Sequence, residues 1–126
     1  MDRVFTLGEA RLLMPDVLTR ADEVITVRAR LVEIQSDLRE SGQSRLGGLP
    51  EAKAFEARLG ELLGWYAEQG LSLKGIAPLL LDFPARLNGD TVLLCWLEGE
   101  RELRWYHRPE HGFAGRRLIP GPTEGG

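Results

Sequence analysis

Asp82-Phe83-Pro84-Ala85-Arg86-Leu87-Asn88-Gly89-Asp90-Thr91-Val92-Leu93-Leu94-Cys95-Trp96 is the stretch on which the fold turns. Asn-Gly between two apolar runs is the strongest short-range hairpin signal, because a type I′ turn needs positive φ at both central residues. Closing that turn pairs Leu87 with Asp90, and the register then places Ala85 opposite Val92, Phe83 opposite Leu94 and Asp82 opposite Cys95. A second turn around Gly99 and Glu100 returns a third strand, Leu103 to His107. If the register shifts by an even number, alternation puts Leu81, Phe83, Val92, Leu94, Trp96, Leu103, Trp105 and His107 on one face. Leu80, Asp82, Leu93, Cys95, Leu97, Arg104 and Tyr106 fall on the other. Both faces are substantially apolar, whereas a lone antiparallel sheet usually leaves one face wet. Each face therefore needs a cover.

The N-terminal half supplies one. Thr6-Leu7-Gly8-Glu9 is a capping box, in which the Thr6 hydroxyl and the Glu9 carboxylate satisfy each other's backbone amides. A short helix is expected to follow, with a corner at Met14, because Pro15 suits the first position of a new helix better than the interior of an old one. From Asp16 to about Ser41, Val17, Ala21, Val24, Leu31 and Leu38 recur at alternating four- and three-residue steps, with Arg28 and Gln35 filling the gaps. Leu18, Ile25 and Val32 form a parallel row beside them. Gly42 ends this helix; Pro50 opens the next, where Phe55, Leu59, Leu62 and Tyr66 carry the stripe until Gly70. The expected fold is α+β: a long antiparallel helical hairpin packed on a small antiparallel meander of three or four strands. It is read as one domain over 1–119, helical over about 6–70 and sheet over about 79–119, with a disordered Pro/Gly-rich tail at 120–126. The second sheet face is left to Phe113, Leu118 and Ile119 or to a second subunit.

Composition excludes several classes. The 126 residues are 43 % hydrophobic and 28 % charged, ordinary for a globular chain. The longest apolar runs, Leu79 to Leu81 and Val92 to Leu97, fall far short of a membrane span, and Met1 to Thr6 holds no signal-peptide core, which points to the cytoplasm. The net charge of −3 gives no global attraction to nucleic acid. Residues 101–117 carry five arginines against two glutamates, a local +3, yet five arginines interleaved with aromatics are a small footprint, and nucleic acid is not an expected partner.

His107-Arg108-Pro109-Glu110-His111 matches the H-x-x-E-H string of inverted zinc peptidases, but the motif needs a helix, and Pro109 and Gly112 bracket a segment that follows a strand. Cys95 and His107 are expected on opposite faces and so not to meet. Asp82 is read as a buried structural carboxylate satisfied by Arg104 and the Tyr106 hydroxyl. No credible set of three metal ligands emerges, and no cofactor is expected.

Phe5-Thr6-Leu7-x-Glu9-Ala10 with Pro15, Asp82-Phe83-Pro84, Leu94-Cys95-Trp96-x-x-Gly99-Glu100, Tyr106-His107 and Gly112-Phe113-Ala114-Gly115-Arg116 together resemble the uncharacterised prokaryotic family known as domain of unknown function 2203. Pro78-Leu79-Leu80 and Tyr106 depart from the family's pattern, which has Gly-Leu before Asp-Phe-Pro and Trp for Tyr106. The resemblance implies no activity. It marks Asp82, Cys95, Trp96, Gly99, Glu100, His107, Gly115 and Arg116 as counterparts of the family's signature.

Two functions are carried forward. The first is a non-enzymatic interaction module, a homodimer that binds another protein: a helix from Asp16 to Ser41 is about 39 Å long and overhangs one of about 29 Å from Glu51 to Gln69. The second is a small-anion or metal pocket at the sheet end, where Glu100, His107 and Arg116 converge against Trp96 or Trp105. Asp82, Cys95, Gly99 and Gly115 are assigned structural roles in both.

Overall fold

The computed structural model describes residues 3–121, and of the tail expected at 120–126 all but Pro120 and Gly121 lies outside them. The class is α+β: helices α1 (Leu7–Ser41) and α2 (Leu49–Glu68) precede strands β1 (Ser72–Ile76), β2 (Leu79–Leu87), β3 (Asp90–Leu97), β4 (Trp105–His107) and β5 (Arg117–Leu118). Two compact units result, one joining the residues up to Val17 to those from Tyr66 onward, the other holding Leu18–Trp65.

The second unit is the helical hairpin. Ala21, Val24, Val27 and Ile34 of α1 and Ala52 and Leu62 of α2 are its buried apolar side chains. Arg58 of α2 grips Glu23 of α1 through two guanidinium nitrogens at 2.6 and 2.7 Å, and the hydrogen bonds from Arg58 hold the Glu23 carboxyl below the usual range. The buried line shifts from the expected one: Leu31 and Leu38 are half-buried, while Val27 and Ile34 take the core positions. A straight helix drifts against a seven-residue repeat, so its buried stripe walks sideways along a long helix. Ile25 and Val32, of the parallel row, are exposed at 36 % and 62 %.

The first unit begins with the capping box, whose two bonds are made: the Thr6 amide donates to Glu9 Oε1 and the Glu9 amide to Thr6 Oγ1, at 2.9 and 3.0 Å. The expected corner at Met14 is absent, and α1 runs unbroken through Pro15. Ala10, Met14 and Val17 form one buried stripe across that position, and Pro15 sits on the exposed side. Burial on both sides of the proline holds the helix together where the lost amide bond faces solvent.

The sheet is a five-stranded antiparallel meander in sequence order, with one strand more than expected at its first edge. β1 escapes sequence reading because it is short, contains Gly75 and pairs with β2 through an irregularity between Leu73 and Gly75. The central hairpin forms as read: Asn88 and Gly89 have φ of 54° and 85°, and Asp82 pairs with Cys95. Phe5 completes the other half of the β2 edge, receiving the Arg86 amide and donating its own to the Pro84 carbonyl. Its ring meets Phe83 edge-on at 5.4 Å. Leu79, Leu81, Phe83, Ala85, Val92, Leu94 and Trp96 are all at most 2 % exposed on this face. The Tyr66 hydroxyl donates to the Val17 carbonyl at 3.1 Å and ties α2 to α1 in the same unit.

The third strand corrects the expected faces. Leu93 pairs with His107, Leu94 with Tyr106 and Cys95 with Trp105, one residue away from the expected register. Trp105 and His107 therefore share the face of Asp82 and Cys95, and Tyr106 joins the other. The cause lies between β3 and β4: the Glu100 amide closes a turn on the Leu97 carbonyl with Gly99 at φ 101°, and residues 101–104 then run outside the ladder before pairing resumes. An irregular segment of that kind sets the parity of the next strand.

Candidate functional site

On the second face, Asp82 of β2 lies across from Cys95 of β3, and His107 of β4 lies across from Leu93, diagonal to Cys95. The three side chains converge. His107 Nε2 stands 3.1 Å from Asp82 Oδ2, and the possible donor atoms of Asp82, Cys95 and His107 all lie within 4.8 Å of one another. Exposure is 3 % for Asp82, 1 % for Cys95 and 4 % for His107. The expected partners of Asp82 are thus replaced: Arg104 is exposed, Tyr106 points to the opposite face, and the imidazole takes their place.

Each ring nitrogen of His107 faces an acceptor: Nδ1 lies 2.9 Å from the Arg108 carbonyl and Nε2 lies 3.1 Å from the Asp82 carboxylate. The Cys95 thiol keeps its own proton: burial, the charge of Asp82 and a hydrogen bond to Asp82 push it up to about 12, against a smaller opposing pull from Arg116. A thiol so held is no nucleophile at neutral pH.

A cavity of about 370 Å³ opens over these groups. Leu80 and Leu93 supply its apolar sheet wall, Lys74 stands at the β1 side, and residues 109–113 form the opposite wall. The Gly112–Gly115 turn shapes that wall. A Cβ on Gly115 would lie 2.7 Å from His111 Cβ, so only glycine permits the approach. His111 borders the cavity from the turn that its own amide closes on the Arg108 carbonyl, not from a helix, so the H-x-x-E-H string has no helical geometry.

Four of the five expected ligand residues assemble elsewhere. Arg116 Nη2 donates to Glu100 Oε1 at 2.7 Å and to the Cys95 carbonyl at 3.1 Å. Its guanidinium carbon sits 4.8 Å from the Trp105 ring centre and 4.6 Å from that of Phe113. Glu100 Oε1 also receives the Leu97 amide, and Trp96 Nε1 donates to the Glu100 carbonyl. This is a clamp closing the Gly99 turn onto the C-terminal segment, and none of Trp96, Glu100, Trp105 and Arg116 walls the cavity. His107 alone of the expected set does. The Arg116 bond to the Cys95 carbonyl joins the clamp to the site.

Sequence reasoning missed the meeting of Cys95 with His107. The available signal was half the answer: the Asn-Gly register already set Asp82 beside Cys95.

The arrangement defines an α+β protein with a polar cluster buried in one sheet face beneath a cavity. The chain matches the family described as "Uncharacterized conserved protein (DUF2203)" over residues 3–119, and it belongs to that family. No match was found among curated proteins or among solved structures.

Proposed function

We propose that the chain acts through this cavity, as a domain that binds a small polar ligand or a metal ion over Asp82, Cys95 and His107. One observation carries the reading. Asp82 and His107 are the buried charged or polar side chains among the described residues, and both border the same cavity as the single cysteine. Burying such groups is costly unless they are paired, and a sheet face needing only a cover would be filled more cheaply by apolar side chains. Lining of this kind, a few convergent polar groups on an apolar wall, is what small-ligand sites look like.

The test is an amide NMR titration of the protein with a panel of small carboxylates, phosphate, amines and divalent metal ions. Shifts centred on Lys74, Leu80, Leu93 and His107 are expected, and Leu93→Trp, which fills the cavity, abolishes them. A panel that leaves these amides unmoved overturns the reading.

A second reading, the homodimeric interaction module, rests on Ile25 and Val32, one heptad apart on α1 and both exposed. Sedimentation at micromolar concentration that returned a single chain of 14.1 kDa would remove it. No helix is long and apolar enough to cross a membrane among the described residues. A cytoplasmic setting is part of the proposal.

A further inference from the structure

We infer that Asp82 Oδ, Cys95 Sγ and His107 Nε2 form a three-donor site for one thiophilic divalent metal ion of the zinc class, with its fourth position open to the cavity. The inference rests on reading the cavity as the binding site and goes further by naming the ligand.

Geometry comes first. Around a tetrahedral zinc ion, neighbouring donor atoms stand roughly 3.3 to 3.7 Å apart, given bonds of about 2.0 to 2.3 Å. The Asp82–His107 contact of 3.1 Å is already near one edge of that figure, and the full set lies within 4.8 Å, so rotamer adjustments of about 1 Å close the remaining edges. The donors come from three adjacent antiparallel strands, a rigid platform.

The imidazole is oriented for ligation. Nε2 is the nitrogen presented to Asp82, and when it ligates, Nδ1 carries the ring hydrogen, with the Arg108 carbonyl 2.9 Å away to accept it. Ligating histidines routinely give their other N–H to a backbone carbonyl or carboxylate, which sets the tautomer and the ring plane.

Charge favours a divalent ion. A carboxylate, a thiolate, a neutral imidazole and a doubly charged cation sum to zero, so the loaded site buries no net charge, whereas a monovalent or trivalent ion would leave one uncompensated. On loading, the Cys95 S–H bond breaks as the S–metal bond forms, and that proton passes to solvent.

Donor chemistry narrows the class. One thiolate, one imidazole and one carboxylate suit zinc, cobalt or iron(II) better than magnesium or calcium, which take oxygen ligands. Three protein donors with a position facing a cavity of about 370 Å³ leave room for water or a small anion on the metal.

The experiment uses the full chain, stripped with chelator and titrated with Co²⁺. One ion per chain by native mass spectrometry, a near-ultraviolet thiolate-to-cobalt band, proton release on loading and displacement by one equivalent of Zn²⁺ but not by excess Mg²⁺ are the expected results. Cys95→Ser, a near-isosteric change at a packed position, removes the band, and His107→Gln weakens loading at least tenfold while circular dichroism reports an intact fold. Cobalt bound without the thiolate band, or displaced equally by magnesium, overturns the donor set. No metal retained while small ligands in chelator still shift the Leu80 and Leu93 amides overturns this inference and leaves the pocket reading standing. Failure of both titrations overturns both.

Discussion

Asp82 and His107 belong to strands that do not neighbour each other, yet their side chains meet at 3.1 Å over the Cys95 strand, buried to 3 % and 4 % exposure. Each is the other's buried partner, so removing one leaves the other unsatisfied. Asp82→Ala is expected to cost about 1 to 3 kcal/mol of unfolding free energy, the penalty for an orphaned buried donor. Asp82→Asn costs less, because its amide can donate to Nε2 while its oxygen accepts from the thiol. Urea denaturation of the two variants checks that order; equal losses would show that the carboxylate charge, not the hydrogen-bond pairing, dominates.

Cys95 gives a pH signature in the metal-free protein. Its thiol is raised in the folded state from an ordinary 9.0 to about 12, so folding favours the protonated form. The sign follows: this contribution is fully present below the unfolded pKa and is lost as pH climbs from about 9 towards 12. Urea midpoints of the parent should fall relative to those of Cys95→Ala across that window, and a disulfide-exchange reagent at pH 8 should label the native thiol far more slowly than the urea-unfolded one.

Arg116 is held by shape as much as by charge. A guanidinium between Trp105 and Phe113, with one nitrogen shared by Glu100 and the Cys95 carbonyl, uses the flat fork that lysine lacks. Arg116→Lys is expected to cost about 1 to 2 kcal/mol, the range for a partly desolvated cation over aromatic rings. Thermal denaturation measures it, and unchanged stability would mean that the stack is incidental.

Gly115→Ala tests the cavity wall. The added Cβ meets His111 Cβ at 2.7 Å, too close for the neighbour to yield without moving the 109–113 segment. Overpacking of this kind costs about 1 to 3 kcal/mol. Amide shifts should spread through residues 109–113 and leave the Asn88-Gly89 hairpin unmoved; shifts confined to residue 115 itself would show that the wall adapts freely.

The features legible in the sequence were those with local causes. Thr6 and Glu9 cap α1 because their side chains reach amides three residues away. Asn88 and Gly89 close a two-residue turn because they tolerate positive φ, and that turn alone placed Asp82 opposite Cys95. These forces act over a few bonds, so the residue types determine them. Three features needed the folded chain. The passage of α1 through Pro15 depends on burial of Ala10, Met14 and Val17 on both sides of it. The choice of Val27 and Ile34 over Leu31 and Leu38 depends on where the second helix lies against the first. The arrival of His107 beside Asp82 and Cys95 depends on the parity of the seven residues from Glu98 to Arg104, which pair with no neighbouring strand as a ladder and so carry no alternation to count. Half of the site was therefore written in a turn, and the other half was decided by long-range packing, because a one-residue slip turns every side chain of a strand to the opposite face.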